Sequence, residues 1–366
     1  MNRSSRLTDR VQLRIDEFLT GHTSILRSIG EDVSALGDLS RDFLSGGKRF
    51  RARFCEAGWN AVSSTPSQAH PSGSDPIARV GASLELFHAA ALVHDDVIDN
   101  SDTRRGAPAA HRRFSFLHAD GSWSGDRDEF GRSSAILLGD LLLVWSDEIF
   151  ADAEWSLGDR AAAARARAEF NLMRTEVTLG QYLDILEESA WVGHPEHEHL
   201  ERAQRVIVYK SAKYSIEAPL AIGGSLAGGE DAQLDALRRF GLPVGIAFQL
   251  RDDVLGVFGD PAVTGKPAGD DLREGKRTVL LGLARRACSP SQRAELDAVV
   301  GHSDAAAAAI ARAQEIIAGS GALEQLEDRI AHEVQSAAAV LPDAPLRAEG
   351  IAELHELAAQ VTVRTS

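Results

Sequence analysis

Residues 84–105 read LELFHAAALVHDDVIDNSDTRR, and the rest of the chain is best understood outward from them. Leu84, Phe87, Ala91, Leu92 and Ile98 recur at helical spacings of three and four, and the first ten residues are almost all apolar or small. That pattern predicts a buried helix rather than a solvated one. Asp95 and Asp99 lie four positions apart, so on a helix their carboxylates leave one face at neighbouring turns. Like charges placed this way repel unless a cation lies between them, and an all-oxygen ligand set suits magnesium, which completes its shell with water and substrate phosphates. A pair of aspartates ordinarily marks a solvated helix end. Here the apolar run before it argues for burial, and buried carboxylates require partners or metal. Arg104 and Arg105 follow within about three turns, with guanidinium forks that match phosphate oxygens.

A second acidic segment, FQLRDD at 248–253, lies in another apolar helical stretch beginning near Phe240. Gln249, Asp252 and Asp253 fall at i, i+3 and i+4 and share a face. Facing the first cluster, they would complete a cage for several cations. Next comes GKPAGDDLREGK at 265–276, which brings Lys266 and Lys276 on a glycine-bearing loop able to neutralise phosphate from the side opposite the metals. Exposed lysines in a polar loop are the commoner arrangement, and the reading rests on the loop following the acids directly. Near the N-terminus, GGKRFR at 46–51 is either a local anion site or a solvated turn. His88 stands seven residues before Asp95 on the same face, beside the acids or as a satisfied core histidine.

Strand-like alternation is scarce, so the fold class expected is all-α, with loops at 71–76, 120–131, 193–199 and 259–269. Residues 304–317 are alanine-rich, which favours a helix over low-complexity disorder. With 366 residues, the length leaves the domain count open. Apolar residues make up 44% and charged residues 25%, the balance of a globular chain with a large core. The formal charge of -15 argues against a nucleic-acid partner and requires any anion to be held by a local basic site. Cys55 and Cys288 are the only cysteines, too few for a disulfide framework, and a reducing cytoplasm is expected. The N-terminal twenty residues carry charges throughout and the apolar runs are interrupted, so neither a signal peptide nor a membrane-spanning helix is expected.

These motifs, in this order, resemble the trans-isoprenyl diphosphate synthase (polyprenyl synthetase) family, and within it the bacterial geranylgeranyl diphosphate synthases. The resemblance is strongest over 46–278, anchored by GGKRFR, HDDVIDNSDTRRGAP, FQLRDD and GKPAGDDLREGKRT. It implies a single-domain helical bundle of the isoprenoid synthase type over residues 1–366, with a central active-site cavity and C-terminal helices over 304–366. It further implies a homodimer, and Mg²⁺, three ions when substrate is bound. Asp95, Asp96 and Asp99 match the first aspartate-rich motif, and Arg104 the residue gripping the allylic diphosphate. Lys48, Arg51, His88 and Arg105 match the isopentenyl diphosphate site. Lys210, Ser211, Gln249, Lys266 and Lys276 match the allylic site, with Ser211 in place of the usual Thr. Of these, Asp95, Asp99, Arg104, Lys210, Asp252 and Lys266 are the expected catalytic group.

The family's second motif, Asp-Asp-x-x-Asp, is incomplete. Asp252 and Asp253 are followed at the last position by Gly256, so Asp252 is the expected main ligand of the third ion, with the glycine compensated by water or weakening the site. Asp260 is too far along to substitute. Residues 117–132 look like an insertion. The small Ala90 and Ala91 leave room for a growing hydrocarbon, and Phe87, roughly 12 Å along the axis from Asp95, is the candidate floor. That favours a twenty-carbon product, although the alanines would equally suit packing against another helix, with farnesyl or longer products then open. A class I terpene cyclase also uses an aspartate-rich helix, but no Asn/Asp-x-x-Ser-x-x-x-Glu motif follows. A non-catalytic subunit of the same fold would have lost more ligands than one.

Overall fold

The computed structural model describes residues 3–65, 75–260 and 268–363. Its helices are α1 (Arg3–Ile29), α2 (Ser34–Phe43), α3 (Phe50–Val62), α4 (Pro76–Ile98), α5 (Ala110–Asp120), α6 (Arg127–Leu157), α7 (Arg160–Ala190), α8 (His199–Val206), a π-helical segment (Ile207–Glu217), α9 (Ala218–Leu226), α10 (Asp231–Phe258), α11 (Asp270–Glu274), α12 (Val279–Ala287), α13 (Pro290–Asp297), α14 (Ala307–Gly319), α15 (Ala322–Val340) and α16 (Ala348–Thr362). Among the described residues, the sheet content is a two-stranded hairpin, β1 (Thr103–Arg104) and β2 (Ala107–Pro108). The all-α expectation holds.

Helix α4 organises the bundle. Asp75 caps it, its carboxylate accepting the Ala78 N–H at 3.1 Å, and Pro76 occupies the first turn, where a missing N–H costs nothing. Most of its residues are buried, and it packs against α1, α3 and α6. Leu84, Leu86 and Ala90 are fully buried together with Leu138 and Leu142 of α6 and Phe150 and Phe170, and each such Leu or Phe contributes about 1.5–3 kcal/mol. By length and a mean hydropathy of 1.2 this helix would suffice to cross a membrane, more than the sequence reading allowed, but 78% of its most apolar window is buried inside the protein.

A second core joins the later part of α10 to α12–α15, and a third packs α16 against α3 and α10 through Phe54, Phe240 and Leu354. The alanine-rich stretch is helix α14, with Ile310, Ala313, Ile316 and Ile317 buried. The expected break at 120–131 is shorter, because Asp126 caps α6 by accepting the N–H groups of Asp128 and Glu129, each at 2.8 Å. The apparent insertion at 117–132 is thus the end of α5, a tight turn and the start of α6, with Trp123 set edge-on to His118 and Phe130.

Candidate active site

Helix α4 ends where its chemistry begins. Asp99 donates its N–H to the Asp95 carbonyl at 2.8 Å, Asn100 turns left-handed at φ 54°, and the Ser101 N–H returns to the Asp96 carbonyl at 3.0 Å. This closed terminus holds Asp95 and Asp99 on one face. The chain then makes the β1–β2 hairpin, with Arg105 and Gly106 both at positive φ in a two-residue turn. That turn sends Arg104 back toward the acids and carries Arg105 over to the glycine loop, where its guanidinium lies beside Gly47.

Asp95, Asp99, Asp252 and Asp253 line a single cavity of about 560 Å³, together with Lys48, Arg51, His88, Ala91, Arg104, Arg105, Lys210, Ser211, Gln249 and Lys276. Residues from both ends of the sequence reading therefore meet in one chamber. Lys266 falls at 261–267 and lies outside the described residues. Asp96 departs from its expected place as a metal ligand. It is fully buried and engages Arg104, which donates from Nε at 2.9 Å and again from Nη2. Asp96 thus orients the guanidinium, whose Nη2 reaches to 3.8 Å from Asp95. Phe87 and Ala90 also lie behind the wall. Phe87 packs edge-on to Phe170 and to Tyr214, and it is Tyr214 and Ala91 that face the cavity.

Opposite α4, the π-helical segment presents Lys210, Ser211 and Tyr214. π-turns of this kind recur at functional sites. Its approach to α7 depends on Gly180, where a β-carbon would lie 2.3 Å from the Lys210 nitrogen. Lys210 consequently reaches Asp95 Oδ1 at 3.2 Å and forms an ion pair with Asp184 of α7. Lys276 pairs with Asp99, 3.3 Å from Asp184 and 3.7 Å from Glu188. Gln181 donates to Asp95 at 2.9 Å. Gln181, Asp184 and Glu188 were not singled out from the sequence, although their spacing of three and four residues places them on one face of α7. Ser211 donates its hydroxyl to Gln249, and Gln249 in turn donates to Asp253 Oδ1 at 2.9 Å.

Charge on these groups follows from burial and neighbours. Burial alone would raise Asp95, but Lys210, Lys276 and Arg104 overwhelm it and hold the carboxyl well below the usual range. Asp99 is pushed up to about 6 by burial and then by Asp95, against the pull of Lys276. Asp253 is raised strongly by burial, with Asp271 and Asp252 adding to the effect against the Gln249 hydrogen bond. Glu188 rises to about 7 through burial, with Asp184 and Asp99 adding to it and Lys276 opposing. Lysines 210 and 276 would be lowered by burial, yet the surrounding carboxylates keep both above their ordinary values.

On the other side of the cavity lies a basic group. Arg49, buried and left-handed at φ 50°, donates to Glu85 at 2.9 Å and Gln12 at 2.6 Å, which pins the loop carrying Lys48 and the first turn of α3 that presents Arg51. Arg51 lies over the Tyr214 ring at 4.2 Å and donates to Ser215 at 2.9 Å. Partly buried His88 is held far below its usual value by desolvation and then by Arg51 and Arg105, so a neutral ring meets the Tyr214 hydroxyl at 3.1 Å.

Do the acids fit magnesium? Their donors are all oxygen, two of them crowd each other one turn apart, and Asp253 Oδ2 is buried without a hydrogen-bond partner among the described residues. Among the described residues no three or more His, Cys, Asp or Glu side chains are grouped so as to hold a metal ion by themselves, so phosphate and water would have to complete the shell of any ion held there. The residues fit.

An all-helical bundle that sets paired carboxylates against lysines and arginines around one chamber is an enzyme built for diphosphates. Comparison with known proteins agrees. The polyprenyl synthetase family profile matches residues 33–317. A geranylgeranyl diphosphate synthase of Mycobacterium tuberculosis is 35% identical over 82% of this chain and 76% of its own. A geranylfarnesyl diphosphate synthase of Aeropyrum pernix is 33% identical over 73% and 76%. A crystal structure of a geranylgeranyl pyrophosphate synthase from Corynebacterium glutamicum, complexed with isoprenyl diphosphate and magnesium, is 42% identical and superposes over both whole chains with a TM-score of 0.91. The chain belongs to the polyprenyl synthetase family and is a trans-prenyltransferase, joining isopentenyl diphosphate to an allylic diphosphate.

Proposed function

We propose that this enzyme makes geranylgeranyl diphosphate, a twenty-carbon product, in a Mg²⁺-dependent head-to-tail condensation, with the two diphosphates held at opposite ends of the cavity. The observation that carries the reading is the division of that one chamber: paired carboxylates with Lys210 and Lys276 on one side, and Lys48, Arg51, Arg105 and neutral His88 on the other. The first side suits an allylic diphosphate bridged to the protein by metal. The second, where Lys48, Arg51 and Arg105 gather and the carboxylate of Glu85 is already paired with Arg49, suits isopentenyl diphosphate held by cations alone.

Asp95 and Asp99, with Asp252 and Asp253 across the cavity, are the residues that would hold magnesium, and when bound the metal neutralises diphosphate oxygens as a Lewis acid. In the free enzyme Lys210 and Lys276 compensate Asp95 and Asp99. With substrate present the same ammonium groups and Arg104 face the oxygens on which negative charge builds as the allylic carbon–oxygen bond breaks. The isopentenyl double bond then attacks the allylic cation, and a proton is lost to the departing pyrophosphate, so no protein base is required. Ser211 and Gln249 orient the region between the acids, and Tyr214 and Val177 exclude water that would quench the cation.

Exposed apolar residues on α6 and α7, among them Leu137, Val144, Leu172, Leu179 and Tyr182, support a second copy of the chain as a partner. Residues 1–366 act in this reading as a single domain, in the cytoplasm. The test supplies purified protein with Mg²⁺, labelled isopentenyl diphosphate and dimethylallyl, geranyl or farnesyl diphosphate in turn, then sizes the alcohols after phosphatase treatment. C20 alcohol is expected. The Aeropyrum relative makes a longer product by its name, and a dominant C15 or C25 alcohol would overturn the assigned length. Absence of elongation with every primer would overturn the activity.

A further inference from the structure

Gly256 lies one helical turn beyond Asp252 on α10, at the position where a further carboxylate would extend the acidic face. The space is not empty. A β-carbon at 256 would lie 1.9 Å from Asp271 Oδ2, 2.3 Å from Asp271 Cγ and 2.8 Å from Asp271 Oδ1. The carboxylate of Asp271 therefore occupies the volume a side chain at 256 would enter. Asp271 comes from α11, a separate element tied down by buried Leu272 and by the Gly301 N–H donating to the Leu272 carbonyl at 2.8 Å. It lines the same cavity as Asp252 and Asp253. The neighbouring Asp253 keeps Oδ2 buried without a hydrogen-bond partner among the described residues, as expected of an oxygen reserved for a ligand.

We infer that Asp271 supplies the carboxylate that position 256 lacks, so that Asp252 and Asp271, from two different helices, present the second acidic face to a divalent cation. The inference rests on the magnesium-diphosphate reading above and names a residue which the aspartate-rich motif does not contain. Glycine at 256 is then a condition of the arrangement rather than a loss, since any side chain there must displace the Asp271 carboxylate. The water compensation, or weakened site, expected from sequence is replaced by a protein oxygen delivered through space.

The test counts Mn²⁺ bound to the full-length protein by electron paramagnetic resonance, in the presence of inorganic pyrophosphate. Asp271→Asn keeps the shape and removes the charge. It is expected to weaken at least one Mn²⁺ on the order of tenfold. Moving the acid back onto α10, in the double variant Gly256→Asp/Asp271→Gly, is expected to recover most of that loss. Wild-type binding by Asp271→Asn would overturn the inference. So would a loss that the double variant does not recover, because Asp271 would then serve its loop and not the ion. If the wild-type protein binds no Mn²⁺ with pyrophosphate, the broader reading falls and takes this inference with it. Wild-type binding that ignores Asp271 removes the inference alone.

Discussion

Lys276 forms an ion pair with Asp99, a residue 177 positions earlier in the chain, and the contact joins the loop after α11 to the C-terminus of α4. Both side chains are largely withdrawn from solvent, and Lys276 also lies near Asp184 and Glu188. Removing one partner of such a pair leaves the other uncompensated. Lys276→Met should lower turnover by about 10²-fold, because it removes a cation aimed at the departing pyrophosphate. It should also destabilise the metal-free protein, with Mg²⁺ plus pyrophosphate restoring more of the melting temperature than in the wild type. Paired turnover and thermal-melt measurements check both halves; unchanged turnover would remove Lys276 from the reaction.

Asp95 accepts from Gln181 and Lys210 and lies near Arg104, whereas Gly256 sits at the edge of the second face. Asp95→Ala should therefore reduce kcat/KM far more than Gly256→Asp, by at least about tenfold, since it removes a ligand and unbalances two cations. Steady-state kinetics at saturating Mg²⁺ decide the ordering, and the reverse ranking would contradict the assignment of the first motif as the dominant one.

Product length tests the wall of the cavity. Ala91 faces the chamber, while Phe87 lies behind Tyr214. Ala91→Phe should shorten the product to C15 or below by filling the space the chain grows into. Phe87→Ala should lengthen it, by letting Tyr214 withdraw into the vacated volume; the same change removes a core aromatic and should cost about 3–5 kcal/mol of stability. Sizing the alcohols from both variants checks the pair, and unchanged length in Phe87→Ala would discard Phe87 as the floor.

The raised Glu188 gives a pH signature. Its carboxyl is moved from an ordinary 4.5 to about 7 by burial, with Asp184 and Asp99 adding to it, so between these values the folded state holds a proton that the unfolded state has released. Stability in that window falls as pH rises. Metal-free Glu188→Gln, which cannot ionise, should lose less stability than the wild type between pH 4.5 and pH 7, as read by urea denaturation at several pH values. Parallel slopes would show that Glu188 does not carry the effect.

The all-helical fold and the two acidic faces of the chamber were legible in the sequence because they rest on local spacing, whereas Lys210 and Ser211 were legible only through the family resemblance. Asp95 and Asp99, and Gln249, Asp252 and Asp253, share faces that helical periodicity alone dictates. What could not be read was which element delivers a group through space. Asp96 looks identical to its neighbour in sequence, yet it points inward and holds Arg104. Gln181, Asp184 and Glu188 share one face of α7 by spacing, but nothing in the sequence distinguished that face from any other polar helix face. Asp271 reaches Gly256 only because α11 folds back on α10, a tertiary fact with no local signature.

The central claim is that two facing groups of carboxylates gather Mg²⁺ around a diphosphate. A crystal grown with Mg²⁺ and a non-ionisable allylic diphosphate analogue tests it most directly. The account predicts metal density bridging the diphosphate to Asp95 and Asp99 on one side and to Asp252 on the other, with Lys210 and Lys276 turned from the carboxylates onto phosphate oxygens. A diphosphate bound in the cavity with no cation between these aspartates would contradict it.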